Sequence, residues 1–178
     1  MSSRGGILIV GVGSFHGDDR VGWYVARRLI ETGIESAEVR VRTAQVPLDL
    51  MNWIGDFETL HVVDACASDF AGPCWRRIDC SDTAEGTGAD NSLRIVTRHA
   101  SGTHGWSLPD VLDLARRLGQ LPSRVVVWAV ESSQFEPGTE IANRVVDAAN
   151  EVIESLSTEV RASLIAQQGV LECMKSPS

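Results

Sequence analysis

Short runs of apolar residues divide the chain and predict the strands of a sheet. Three of them are rich in valine and isoleucine, as strands buried on both faces are, and they cover residues 7–10, 59–65 and 124–131. Charged residues alternate with valine over residues 38–43, which predicts a strand exposed on one face near the sheet edge. Weaker patterns at residues 74–78 and 93–97 leave at least one of these two middle segments doubtful as a strand.

Helical periodicity of apolar residues separates these strands, at residues 21–34, 47–54, 106–118 and 141–156. Alternating strands and helices are typical of the α/β class. We predict a three-layer α/β/α sandwich around a five-stranded, twisted, mostly parallel but mixed sheet. Residues 1–157 are expected to form a single domain, and residues 158–178 a C-terminal extension, either a helix or a tail.

Composition and charge narrow the classes of partner. The 178 residues carry a formal net charge of −8, which argues against nucleic acid or an anionic membrane as partner, because either requires a positive surface. No apolar run approaches the ~20 residues of a membrane span, and no basic-then-apolar signal peptide opens the sequence. We therefore expect a cytoplasmic protein. Its four cysteines show no zinc-ribbon spacing, so free thiols are expected.

Ionisable residues lie at the carboxyl ends of three predicted strands. Asp18 and Asp19 follow the first strand, Asp64 ends the strand at 59–65, and His104 lies in the loop after the strand at 93–97. In open α/β sheets, sites form beyond these ends, where the strand order changes direction. Two carboxylates and one imidazole are sufficient ligands for a divalent transition metal with positions left open for a substrate.

Each of these residues also has a simpler explanation. Asp19 can cap the helix that follows it, because an aspartate there accepts backbone N–H groups. Asp64 can cap a turn, and His104 can face solvent. None of the three residues is decisive when it is considered alone.

Two other chemistries compete with a metal site. Glycines follow the first strand as in a dinucleotide-binding loop, at Gly11, Gly13 and Gly17, but their G-x-G-x-x-x-G spacing departs from that motif. Two acids also occupy the place of the pyrophosphate, which disfavours a nucleotide. Cys66 is a possible thiol nucleophile if neighbouring groups lower its pKa. No G-x-S-x-G or H-E-x-x-H motif is present.

Four segments taken together resemble the hydrogenase maturation proteases in order and spacing. They are GVGSFHGDDRVG at 11–22, HVVDA at 61–65, THGWSLPDVLDLARRLGQLP at 103–122 and VWAVE at 127–131. The resemblance extends over residues 7–156. It implies an endopeptidase that removes the C-terminal extension of a nickel-iron hydrogenase large-subunit precursor after nickel insertion.

The resemblance also implies roles for particular residues. Asp19, Asp64 and His104 would recognise the nickel and act through it, while Asp18 is left with the local capping and turn role. The substrate protein would supply the nickel, so no intrinsic cofactor is expected. The partner would be the large-subunit precursor or another metalloprotein, and the oligomeric state is left open.

Two residues depart from the family pattern. Ser14 stands where the family usually has asparagine, and Arg20 stands where it has glycine. We expect Arg20 to be able to pair with Asp19 and so compete with a metal. The departures leave two alternatives to the protease: a non-proteolytic module that binds or checks a metalloprotein, and a small-molecule hydrolase using the same Asp/Asp/His site.

Overall fold

The computed structural model describes residues 5–67, 74–81 and 106–175, with side chains described as far as residue 168. Its strands and α-helices follow the order β1 (Ile7–Val12), α1 (Val21–Glu31), β2 (Val39–Ala44), β3 (Thr59–Cys66), β4 (Trp75–Asp79), α2 (Leu108–Arg117), β5 (Arg124–Glu131) and α3 (Asn143–Lys175). Short 3₁₀ helices occupy Gly17–Arg20, Pro47–Asn52 and Ile54–Asp56. The strand predicted at residues 93–97 lies outside the described residues.

The five described strands form one sheet in the order β2-β1-β3-β5-β4. β1, β2, β3 and β5 are parallel, whereas β4 pairs antiparallel with β5 at the edge. The predicted mixed, mostly parallel sheet is confirmed. The chain leaves β1 for β2 on one side and returns to β3 on the other. The carboxyl ends of β1 and β3 therefore flank the point where the strand order changes direction, which is where open α/β sheets place their sites.

Helices cover both faces of the sheet. α1 and α3 bury one face through Val25, Leu29, Val152 and Leu156, while α2 and the 3₁₀ helices bury the other through Leu50, Ile54, Val111 and Leu112. β1, β3 and β5 lie between these layers and are apolar over nearly their whole length because both of their faces are covered. In the described part of the chain, no helix combines the length and apolarity of a membrane span.

The ends of the helices agree with local chemistry except at α3. Ser107 caps α2 by accepting a hydrogen bond from the backbone N–H of Asp110. α3, however, does not end at residue 156 but continues for 33 residues in all. The Thr158 hydroxyl donates to the carbonyl of Glu154 at 2.9 Å. The continuation buries Val160 in the same core cluster as Leu156.

Candidate active site

Two glycines bring the start of α1 into contact with the sheet. A Cβ on Gly22 would lie 2.0 Å from the carbonyl oxygen of Val12 and 2.7 Å from that of Val63, and a Cβ on Gly11 would lie 1.9 Å from the carbonyl oxygen of Gly22. Only glycine permits this approach. The glycines therefore serve backbone packing between α1, β1 and β3, which explains the motif without a nucleotide.

A tight turn then delivers the acidic pair. A Cβ on Gly13 would lie 2.2 Å from the carbonyl oxygen of Asp19, so the loop folds back closely on itself. Gly17 has φ of +50° and packs against the carbonyl oxygen of Gln134. The left-handed backbone at Gly17 is favourable only for glycine. The loop is thereby fixed over the carboxyl end of β1.

Asp18 anchors a loop that comes from the far end of the sequence. Its Oδ2 accepts hydrogen bonds from the backbone N–H groups of Ser133 and Gln134 at 3.1 and 3.0 Å, and its Oδ1 accepts one from Ala142 at 2.8 Å. The side chain is fully buried. The predicted capping role for Asp18 is wrong, because no side chain caps the Gly17–Arg20 helix. Its partners are backbone groups more than 100 residues away, which sequence proximity does not reveal.

Asp19, the next residue of the same turn, is half-buried. Burial raises the pKa of its carboxyl, and a hydrogen bond with the Ser14 side chain and the nearby His16 offset part of that increase. The Ser14 hydroxyl is 2.8 Å from Nδ1 of His16. Ser14 thus supports Asp19 directly. His16 is a residue that the sequence reasoning missed, although its place two positions before the acidic pair is a signal.

Asp64 lies in β3 next to the carboxyl end, and only 5% of its surface is exposed. Burial, and secondarily the negative charge of Asp19, raise the pKa of Asp64 to about 8. The structure therefore brings together these two predicted ligands. A cation between the two carboxylates would offset the free-energy cost of their burial and of their mutual repulsion. Oxygen donors together with an imidazole suit a divalent transition metal.

The third predicted ligand, His104, lies outside the described residues. Within the ranges 5–67, 74–81 and 106–175, no group of three or more His, Cys, Asp or Glu side chains could hold a metal ion. The described half of the site is therefore the carboxylate pair alone, and the imidazole at position 104 stays a prediction.

Arg20 turns away from the acidic pair. Its guanidinium donates to the backbone carbonyls of Phe15 at 3.1 Å and Thr139 at 3.5 Å. Among the described residues no ion pair joins Arg20 to Asp19, so the expected competition with a metal is absent there. Arg20 instead links the acidic turn to the loop before α3, the same loop that Asp18 holds.

The thiol alternative is not supported. Cys66 is fully buried at the end of β3, and burial, with the charges of Asp64 and Glu131, raises the pKa of its thiol to about 12. A thiol held protonated at neutral pH is a poor nucleophile.

His61 belongs to a different face of the sheet from Asp64. It lies three positions earlier in β3, so their side chains alternate to opposite faces. Its Nδ1 accepts a hydrogen bond from Nε1 of Trp128 at 3.2 Å, while its buried Nε2 has no partner among the residues that the structure describes. Burial lowers the pKa of His61 to about 4. The residue is a neutral core histidine under α3, not a ligand of the site.

Comparison with known proteins identifies the fold. No protein-family model matches the chain, and neither does any curated protein. Among solved structures, the hydrogenase maturating endopeptidase HybD from E. coli superposes with a TM-score of 0.67 and 19% identity, over 89% of this chain and 93% of HybD. An endopeptidase from Escherichia coli superposes with a TM-score of 0.71 and 20% identity, over 89% of this chain and 93% of that endopeptidase.

A third structure extends the comparison to an archaeon. The [NiFe] hydrogenase maturation protease HycI from Thermococcus kodakarensis gives a TM-score of 0.63 and 23% identity, over 90% of this chain and 95% of HycI. The chain therefore has an α/β fold with a carboxylate pair at its switch point. That fold is the fold of the hydrogenase maturation endopeptidases, as the four sequence segments implied.

Proposed function

We propose that the protein is a hydrogenase maturation endopeptidase, which removes the C-terminal extension of a nickel-iron hydrogenase large-subunit precursor once nickel has been inserted. The observation that supports this best is the juxtaposition of Asp19 and Asp64 at the switch point of the sheet. Proteins named for this activity share the fold over about nine-tenths of the chain. The nickel belongs to the substrate, and the enzyme brings no cofactor of its own.

The donor set suits recognition of an ion that another protein already holds. Asp19 and Asp64 supply two carboxylates, and His104 supplies the imidazole. Three donors leave coordination positions to the ligands of the precursor itself. A precursor without metal would offer these buried carboxylates no compensating charge, so it would bind poorly. Recognition of the metal thereby becomes a condition for cleavage.

The reaction is hydrolysis of one peptide bond. Water adds across the scissile bond: its oxygen joins the carbonyl carbon, the C–N bond breaks, and a proton goes to the leaving amine. A nickel ion next to the bond polarises the carbonyl as a Lewis acid. Asp18 and Arg20 fix the turn and the neighbouring loop around the site, which keeps Asp19 aimed at Asp64.

The test is the mass of the precursor C-terminus after incubation with the protein. We expect wild type to remove the extension, and Asp19→Asn and Asp64→Asn to slow removal by at least about 100-fold, since each deletes a charged metal donor. Asp147→Asn, an exposed carboxylate on α3, is the matched control and should retain wild-type rates. An unchanged precursor with wild type, or full activity in both site variants, would overturn the proposal.

A further inference from the structure

A cavity of about 780 Å³ lies beside the candidate site, at the carboxyl end of the edge strand β2. α1 forms one wall through Trp23 and Arg27, and the 3₁₀ region forms the other through Trp53. Phe15, from the loop that carries Asp19, closes one end. The volume is within the range of about 300–1,000 Å³ that is typical of ligand-binding clefts.

One wall of the cavity is aromatic and partly fixed. Trp23 is held by a hydrogen bond from its Nε1 to the carbonyl of Ala44 at 2.7 Å. The Phe15 ring stands edge-to-face on Trp23, with centroids 4.7 Å apart, yet 68% of Phe15 is exposed. A large apolar ring supported by a rigid partner but open to solvent is typical of a binding surface.

The backbone of β2 is available at this cavity and blocked elsewhere. Every second residue of β2 directs its backbone N–H and carbonyl away from β1. The first two of these residues, Val39 and Val41, form hydrogen bonds within their own chain. Ser36 bonds both the N–H and the carbonyl of Val39. The side chain of Glu35 accepts from the N–H of Val41 at 3.1 Å.

The next outward-facing residue in this alternation is Thr43, which lines the cavity. Within the described part of the chain, its backbone N–H and carbonyl have no hydrogen-bond partner. A free N–H and C=O at a sheet edge can pair with an added strand. Among the described residues, the free backbone groups of β2 therefore lie at the end of the strand that faces the candidate site.

The charges lining the cavity favour an acidic group in the occupant. Glu31 pairs with Arg28 at 2.7 Å, and Asp49 accepts hydrogen bonds from two backbone N–H groups at 3.0 and 3.2 Å. Among the described residues, Arg27 forms no hydrogen bond or ion pair. The unpaired charge in the cavity is thus a cation, in a chain whose net charge is −8.

We propose that this cavity docks an extended segment of the protein substrate as an added strand on β2. The segment pairs its backbone with Thr43, places an apolar side chain against Phe15 and Trp23, and presents a carboxylate to Arg27. The inference rests on the proposed endopeptidase function. It adds a second binding site for the substrate, separate from the site that recognises the metal. Phe15 belongs to the loop that carries Asp19, so the docked segment lies against the loop that holds one of the two acids.

The test separates docking from chemistry through the kinetics of precursor processing. Phe15→Ala and Arg27→Glu are expected to raise KM about tenfold with kcat unchanged, because both remove contacts distant from the cleaved bond. The matched controls are Ile165→Ala, another exposed apolar residue, and Arg161→Glu, an exposed arginine on α3. Both controls should keep the wild-type KM.

Each outcome has a defined meaning. If wild type cleaves the precursor and both cavity variants match their controls, the docking inference is overturned and the endopeptidase function stands. If wild type does not cleave the precursor at all, the function itself fails. Sedimentation provides a second readout: a wild-type dimer that Phe15→Ala converts to a monomer would show that a second copy, not the substrate, occupies the cavity.

Discussion

Replacing Asp64 by asparagine is expected to stabilise the metal-free protein increasingly as the pH rises. Burial and the charge of Asp19 raise the pKa of Asp64 from 3.8 to about 8. Between these values the folded protein holds a proton that the unfolded chain has released. Stability therefore falls as the pH rises through this window, and the asparagine variant, which has no such proton, escapes the loss.

The size of the effect follows from proton linkage. One proton changes the free energy of unfolding by at most about 1.4 kcal/mol per pH unit, so wild type should lose up to roughly 2.7 kcal/mol relative to Asp64→Asn between pH 5 and pH 7. For a chain of this size each kcal/mol corresponds to about 2–4 °C in Tm. The gap between the two melting temperatures should therefore widen by several degrees.

The assays are thermal unfolding and urea unfolding of both proteins in a chelating buffer at pH 5, 6 and 7. Asp147→Asn, the exposed control on α3, should run parallel to wild type at every pH. Cadmium in place of the chelator should stabilise wild type but not Asp64→Asn, because a bound cation favours the folded state. Parallel curves for wild type and Asp64→Asn would refute the claim that burial and the charge of Asp19 raise the pKa of Asp64.

Three further substitutions test the framework of the site. Asp18→Asn should destabilise the protein by about 2 kcal/mol, since an amide cannot accept all three backbone hydrogen bonds; an unchanged urea midpoint would contradict this. Gly22→Ala should abolish folding, because its Cβ would lie 2.0 Å from the carbonyl oxygen of Val12. In the control Gly55→Ala the new Cβ meets nothing within 4 Å, so its circular dichroism spectrum should stay native. The pKa of His61 is lowered to about 4, so the protein should lose about 2 kcal/mol of its free energy of unfolding as the pH falls from 7.5 to 5, because the histidine of the unfolded chain protonates first. His61→Gln should remove this loss. An equally steep pH dependence of stability in His61→Gln would contradict the lowered pKa.

The sequence allowed the sheet to be predicted because β1, β3 and β5 are buried on both faces and so carry uninterrupted apolar runs. It also allowed Asp19 and Asp64 to be paired, because the carboxyl ends of neighbouring parallel strands meet at one edge. That argument needs only the positions of the acids relative to strand ends.

Other features depend on contacts that local sequence does not encode. Asp18 bonds backbone groups from residues 133–142, so its partners could not be inferred from its neighbours. The orientation of Arg20 follows from carbonyls that the same loop presents. Whether residues 158–178 form a helix or a tail was left open by their composition, and the continuation of α3 to Lys175 goes with burial of Leu156 and Val160 in one core cluster.

The proposed function requires that the Asp19–Asp64 site recognise the nickel of a hydrogenase precursor before the precursor is cleaved. The most direct measurement is the intact mass of the large-subunit precursor, with and without nickel, after incubation with the wild-type protein. We expect loss of the C-terminal extension from the nickel-loaded precursor alone, and removal at least about 100-fold slower with Asp64→Asn. An unshortened nickel-loaded precursor, or equal cleavage of both forms, would contradict it.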